Sequence, residues 1–355
     1  MDTEIVRIRQ DEESFSGEED AALRRAGEII RQGGLVAFPT ETVYGLGGDG
    51  LNRESSRKIY AAKGRPSDNP LIVHICRSED LESIVSEVPE AARKAAQAFW
   101  PGPLTMIFRK SDKVPYETTG GLDTVAVRFP SHRVAQKLIE YSGGFVAAPS
   151  ANRSGRPSPT VAKYVTEDMD GRIEMIIDGG EVGIGLESTI IDMTVMPPQI
   201  LRPGYVTRQM LAEVLGEVDT DVTIMSSDSG QAPRAPGMKY RHYAPKGELV
   251  IVEGDAKAVA AYINAQAQAD RRAGRKTGVI ATDETLEQYH ADSVKGVGTR
   301  ADEETIARHL FTALREFDDE GVDSIYSEGF ESDGLGQAIM NRLLKAAGHR
   351  VVRLQ

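Results

Sequence analysis

Between residues 35 and 201, short apolar runs alternate with polar breaks marked by glycine and proline, a pattern of many strands with helices between them. Leu35-Val36-Ala37-Phe38 lies between Gly33-Gly34 and Pro39 and predicts a buried strand. Asn52 is placed to cap a helix running to about Lys63, with Gly64 as its stop. Leu71 to Ile75 predicts a strand whose period of two sets Leu71, Val73 and Ile75 on one face and Ile72 with His74 on the other. Pro89 to Trp100 reads as a helix closed by Pro101-Gly102-Pro103, and Leu104 to Phe108 as the next strand. Thr124 to Phe129 alternates, with Val125, Val127 and Phe129 facing one way and Thr124, Ala126 and Arg128 the other. Further strands are expected at Phe145 to Ala148, Glu174 to Ile177, Ser188 to Ile191 and Ile200-Leu201. Together they predict an α/β or α+β domain around a mixed sheet.

The pattern changes twice more. Residues 218–246 read as a linker, with Asp219-Thr220-Asp221, Ser226-Ser227-Asp228-Ser229-Gly230, Pro233, Pro236-Gly237 and Pro245. Residues 247–355 alternate strand and helix: Leu249 to Val252, Ala256 to Gln266, Gly278 to Ala281, Val294 to Val297, Glu303 to Phe317, Ser324 to Ser327 and Gly336 to Ala347. That order predicts a small parallel, Rossmann-like α/β domain. It has no phosphate-binding glycine fingerprint, so a regulatory or scaffolding role is expected of it. The expected division is thus 1–217, 218–246 and 247–355. The acidic segment Asp11 to Asp20 is expected to be a solvated, mobile tail.

Composition narrows the function. The chain has 355 residues, 40% of them apolar and 27% charged, which excludes wholesale disorder. Its 42 Lys and Arg against 54 Asp and Glu give a net charge of −12, which argues against a broad nucleic-acid surface but leaves room for a small basic pocket. One cysteine, Cys76, excludes an intramolecular disulfide framework. No apolar run approaches the ~18 residues that span a bilayer. The acidic start Met1-Asp2-Thr3-Glu4 lacks a signal-peptide pattern, so a cytoplasmic address is expected.

The glycine run Gly45-Leu46-Gly47-Gly48-Asp49-Gly50 matches G-x-G-x-x-G, but Pro39 to Tyr44 separates it from the preceding strand, and the position about 20 residues on is occupied by basic and small residues, Lys63 to Ser67. A glycine-permitted loop is the better expectation. No Walker motif is present, and no histidine cluster suggests a metal cage. More informative is Lys63-Gly64-Arg65-Pro66-Ser67-Asp68-Asn69-Pro70, with two cations at a helix end among proline-fixed, hydrogen-bonding residues. The plain alternative is pairing of those cations with the helix dipole. Pro149-Ser150-Ala151-Asn152 repeats the chemistry after a buried strand, Arg202 adds a cation at a strand end, and Thr124 with Arg128 forms a polar face on an apolar strand. For Arg128 the alternative is a buried ion pair with a carboxylate of the protein. Loops offering Lys, Arg, Ser and Asn supply what a polyphosphate needs: neutralising charge and many directed donors.

Phe38-Pro39-Thr40-Glu41-Thr42-Val43-Tyr44-Gly45-Leu46-Gly47, with Lys63-Gly64-Arg65 and Ser150-Ala151-Asn152, resembles the YrdC-like family of threonylcarbamoyl-AMP synthases. Phe99-Trp100-Pro101-Gly102-Pro103-Leu104-Thr105 and Glu187-Ser188-Thr189 fit it too, and Pro236-Gly237-Met238-Lys239-Tyr240-Arg241-His242-Tyr243-Ala244-Pro245 resembles the linker of its longer, two-domain form. The resemblance spans residues from about 20 to 246. It implies a twisted mixed sheet flanked by helices around an open, positively charged cavity. It also implies a reaction in which L-threonine and bicarbonate form a carbamate that attacks the α-phosphate of ATP, releasing pyrophosphate. Downstream proteins would then transfer the threonylcarbamoyl group to tRNA. Implied threonine contacts are Thr42, His74, Arg128, the backbone at Ala148, and Ser188. Implied nucleotide contacts are Lys63, Arg65, Asn69, Thr124, Ser150, Asn152, Ser158, Arg202 and Tyr243, with Lys63 and Arg65 catalytic. Lys239, Arg241, His242 and Tyr243 would form a lid, an inert spacer being the alternative. Mg²⁺ would arrive with ATP, without dedicated protein ligands. A core histidine satisfied by backbone is the plain alternative for His74.

Three other functions compete. An RNA-binding or ribosome-maturation module is disfavoured by the charge and by the absence of an aromatic and basic stripe, so no stable nucleic-acid binding is expected. A carbamoyl-handling maturation domain would bring zinc-finger and acylphosphatase modules, which are absent from the sequence. A nucleotide-binding oxidoreductase would rest on the glycine run alone.

Overall fold

The computed structural model describes residues 2–9, 14–221, 224 and 242–355. The helices are α1 (Gly17–Arg31), α2 (Arg53–Lys63), α3 (Leu81–Ile84), α4 (Glu90–Phe99), α5 (Tyr116–Thr119), α6 (Arg133–Tyr141), α7 (Ala162–Met169), α8 (Arg208–Leu215), α9 (Ala256–Arg272), α10 (Glu303–Glu320) and α11 (Gly334–Ala346). The strands of the first sheet are β1 (Glu4–Arg7), β2 (Val36–Phe38), β3 (Gly45–Asp49), β4 (Ile72–His74), β5 (Leu104–Arg109), β6 (Thr124–Arg128), β7 (Val146–Ala147), β8 (Met175–Asp178), β9 (Thr189–Asp192), β10 (Gln199–Arg202) and β11 (Asp219–Thr220). A second sheet holds β12 (Glu248–Glu253), β13 (Thr277–Ala281), β14 (Ser293–Gly296), β15 (Ser324–Glu328) and β16 (Val351–Arg353).

The first sheet runs β1-β8-β2-β3-β7-β4-β6-β5-β9-β10-β11 and is mixed, as expected: β4 and β6 are parallel, whereas β7 is antiparallel to both β3 and β4. The second runs β14-β13-β15-β12-β16 with every pair parallel. Its helix α9 packs on one face with Val252, Val279 and Ala281, and α10 with α11 on the other with Leu249, Ile251, Ile280 and Ile325. Asp219–Thr220, inside the stretch read as linker, pairs with β10 and so belongs to the first sheet.

Two local expectations are overturned. The acidic segment near the N-terminus is not wholly a tail. Gly17 to Asp20 form the first turn of α1, because Ser16 caps Glu19 while the Glu19 carboxylate returns to the Ser16 amide, a reciprocal capping box. Of the rest of that segment, residues 11–13 lie outside the described residues. The glycine run is no loop: Gly45 to Asp49 form β3, between β2 and β7. Its glycines answer to close packing, since a Cβ on Gly47 would stand 2.8 Å from Phe38 Cε1 and 2.9 Å from Val146 Cγ1. Gly47→Ala is therefore expected to destabilise the fold by about 1–3 kcal/mol, the range for overpacking a dense core. A denaturant melt checks it, and an unchanged midpoint would contradict the packing reason.

The two sheets are tied together through α10 and α11. Arg315, 1% exposed, donates to Asp168 Oδ2 at 2.6 Å and twice to the Pro157 carbonyl, at 2.7 and 3.0 Å. Arg342, fully buried, donates to Glu187 Oε2 at 2.7 Å. Each pair joins residues about 150 positions apart, so the second domain seats on the first beside the hollow described next.

Candidate active site

Strand ends and the loops that follow them build one hollow. After β2 the chain turns through Thr40, whose hydroxyl donates to the Val43 carbonyl at 2.7 Å, fixing Thr42 inward. Helix α2 ends at Lys63 because Gly64 takes the left-handed conformation (φ 62°), which turns Arg65 back toward the sheet. The loop after β7 follows β3 closely: Ala151 N donates to Tyr44 O at 2.8 Å and Ser150 bridges to Gly45. The hollow is lined by Thr42, Arg65, His74, Arg128, Ala148, Ser150, Asn152, Ser158, Ser188, Arg202, His242 and Tyr243, with Glu187 among them. Counted out to its mouth, with the open solvent there included, it holds about 610 Å³.

Three expected residues stand outside the lining. Lys63 is buried behind it, its ammonium donating to the carbonyls of Ser150 and Asn152 (2.5 Å to the latter) and to Asn152 Oδ1 at 3.3 Å. Burial, reinforced by Arg65, pushes its pKa well down. Asn69 is also one layer back, its carbonyl accepting from Tyr60 at 3.2 Å and Arg65 at 3.4 Å. Thr124 is further away, since it pairs with Arg109 at the opposite end of β6 from Arg128, about 13 Å along a strand. Lys239 and Arg241 lie outside the described residues; the lid expectation can be followed only at His242 and Tyr243, both in the lining.

On one side of the hollow Arg128, 4% exposed, is held by three contacts: Nη2 lies 2.8 Å from Glu41 Oε1, Nη1 donates to Thr42 Oγ1 at 2.8 Å, and Nε reaches Gly102 O at 3.4 Å. The ion-pair alternative is thus realised, with Arg128 lining the hollow at the same time. Arg128 lowers the Glu41 pKa, outweighing the burial that acts the other way. His74 sits beside Ile72 O at 3.1 Å, and burial with the Arg128 charge pushes its pKa down to about 3, so the ring is neutral. The backbone-satisfied histidine is therefore also realised, again inside the hollow.

Three strands along the sheet Arg202 donates to Ser188 O at 3.0 Å and Ser188 Oγ at 3.1 Å, and the hydroxyls of Ser188 and Thr105 are hydrogen-bonded at 2.7 Å. Ser150 donates to Asn152 Oδ1 at 2.5 Å, while the Asn152 amide reaches the carbonyls of Arg153 and Arg156, both at 2.9 Å. Arg65 donates to Pro70 O at 3.1 Å and leaves Nε without a hydrogen-bond partner. Burial lowers both Arg65 and Arg202 only to about 10, so both stay charged. A chain of net charge −12 thus gathers guanidinium groups from three distant segments at one hollow.

Sequence reasoning assigned no role to Glu187, although its motif was quoted, and missed the second domain's contribution. Tyr243 takes a left-handed backbone (φ 63°) and stacks on Phe311 of α10 at 5.1 Å between ring centroids. The available signal was a charged residue, Arg342, on an otherwise apolar helical face with Ala338, Ile339 and Leu343. Among the described residues no group of three His, Cys, Asp or Glu could hold a metal ion, and no helix is long and apolar enough to cross a membrane.

Comparison with known proteins gives the family. Residues 28–204 match a family model described as "Telomere recombination", and residues 206–348 match "Threonylcarbamoyl-AMP synthase, C-terminal domain". The threonylcarbamoyl-AMP synthase of Pyrococcus abyssi is 49% identical over 99% of this chain and 100% of its own length. That of Bacillus subtilis is 48% identical over 94% of this chain and 95% of its own. The crystal structure of P. abyssi Sua5 complexed with L-threonine superposes with a TM-score of 0.93 at 48% identity, covering 99% of this chain and 100% of that one.

Proposed function

This chain belongs to the threonylcarbamoyl-AMP synthase family in its two-domain form, and we infer that its hollow joins L-threonine, bicarbonate and ATP into threonylcarbamoyl-AMP with release of pyrophosphate and of the water lost when the carbamate forms. The observation that carries this reading is the meeting of Arg65, Arg128 and Arg202 in one cavity with Thr42, Ser150, Asn152 and Ser188.

The cavity divides by its chemistry. The Arg128 fork takes the threonine carboxylate, a planar, two-pronged match that a lysine does not offer. Thr42, neutral His74 and Ser188 face the rest of the amino acid, and a site built around a hydroxyl discriminates against analogues that lack one. The threonine-bound relative supports this half. Arg65, Arg202, Ser150, Asn152 and Ser158 face the triphosphate. Lys63 acts from behind the wall, holding the loop of Ser150 and Asn152 in place.

The carbamate formed from threonine and bicarbonate is itself the nucleophile, so no covalent enzyme intermediate is needed. What the protein supplies is alignment of carbamate oxygen, α-phosphorus and leaving pyrophosphate, with cations placed where charge accumulates. Mg²⁺ enters as part of the substrate, bound to ATP. The mixed anhydride product is prone to hydrolysis, and His242 and Tyr243 close the wall against water. Proteins acting on tRNA then consume the product. We place this chemistry in the cytoplasm, in keeping with the single, unpaired Cys76.

The test is pyrophosphate release from ATP with threonine or bicarbonate omitted in turn. Release that needs both is expected; release indifferent to either would remove this reading.

A further inference from the structure

A carboxylate in the wall of a cavity for a polyanion is an anomaly. Glu187 is that carboxylate: it lines the hollow and is 7% exposed. One of its oxygens accepts from Ser158 at 2.5 Å and the other from Arg342 Nε at 2.7 Å, while Arg342 Nη2 reaches the Glu187 carbonyl at 3.3 Å. Arg342 belongs to α11 of the second domain, has no exposed surface, and does not line the hollow. Its guanidinium carbon also lies 5.7 Å from the centre of the Tyr243 ring, another part of the wall. The third nitrogen is used within α11, on Asn341 Oδ1 at 2.8 Å.

We propose that Arg342 is a positioning residue for the nucleotide, acting from the second domain through Glu187. This rests on the synthase reading. Arg342 neutralises the carboxylate from behind, so that Glu187 does not repel a triphosphate. The fixed carboxylate in turn holds the Ser158 proton, which fixes that hydroxyl in the wall of the cavity. The second domain thereby becomes part of the nucleotide half of the site and leaves the threonine half, at Arg128 and Thr42, alone. A buried pair behaves asymmetrically: removing one partner strands the other charge, while removing both charges together is far milder.

The asymmetry gives the experiment. In the full-length protein, KM for ATP and for threonine are measured in Arg342→Met, in Glu187→Gln and in the double variant Arg342→Met/Glu187→Gln. Arg342→Met is expected to raise KM for ATP about tenfold or more, with KM for threonine moving less than about threefold. The double variant is expected to recover KM for ATP to within about threefold of wild type, because no unpaired carboxylate remains. A purely structural contact would move both constants or neither. An unaltered KM for ATP in Arg342→Met overturns the proposal, as does a double variant no better than the single one. Should Arg342→Met fail to fold, the double variant decides alone: KM for ATP near wild type supports the proposal, and a rise of tenfold overturns it. Failure of the synthase reading is separately visible, as wild-type protein that releases no pyrophosphate in response to threonine and bicarbonate.

Discussion

Lys63→Ala is expected to lower kcat for pyrophosphate release by on the order of 10²-fold or more, the scale of a loss of about 1 Å in the placing of reacting groups. Three oxygens depend on this ammonium, the carbonyls of Ser150 and Asn152 and the Asn152 carboxamide. Without it the loop after β7 loses its anchor to the end of α2, and buried acceptors are left unmade at about 1–3 kcal/mol each. The variant should therefore also melt earlier. Catalysis and stability separate by assaying well below the variant's melting point and comparing Lys63→Met, which keeps the aliphatic stem. Both variants are expected to lose kcat alike, while KM for threonine stays near wild type. A folded Lys63→Met with a normal rate would show that the charge behind the wall is dispensable.

Arg128→Lys is expected to raise KM for threonine about 10- to 100-fold while leaving KM for ATP within a small factor. The guanidinium spans Glu41, Thr42 and Gly102 together, and a single ammonium cannot keep all three and still present a two-pronged face to a carboxylate. The loss should fall on threonine because Arg128, on β6, holds Thr42 and lies three strands along the sheet from Arg202 on β10. Saturation curves for each substrate at fixed excess of the other decide it. Equal damage to both constants would mean that Arg128 supports the wall as a whole and does not serve the amino acid.

Much of this was legible along the chain because the signals are local. Asn52 and Gly64 mark the two ends of α2 as cap residues, and the four strands and three helices expected of the second domain reappear, joined by a fifth parallel strand, β16, that the sequence reading did not mark. The lining residues Thr42, Arg65, Ser150 and Asn152 sit in the loops that follow a strand or helix, Ser188 just before β9 and Arg202 at the last position of β10, where end and turn chemistry can be read residue by residue. What stayed hidden is long-range. The glycines of β3 look like loop residues until Phe38, Val146 and Leu35 fill the space their side chains would take. Thr124 shares a face with Arg128 by periodicity, yet strand length carries it out of reach. The neutralising partner of Glu187 is 155 positions away on α11, and nothing near Glu187 in the sequence announces it. The capping box of Ser16 and Glu19 was local and readable; the density of acidic residues around it masked the helix start.

The central claim is that two substrates share one basic hollow within an acidic protein. A crystal structure of the full-length chain with L-threonine and a non-hydrolysable ATP analogue tests it most directly. The account predicts the threonine carboxylate on Arg128 and the triphosphate among Arg65, Ser150, Asn152 and Arg202, with the amino group turned toward the α-phosphate. Nucleotide bound elsewhere, with this hollow left to threonine alone, would contradict it.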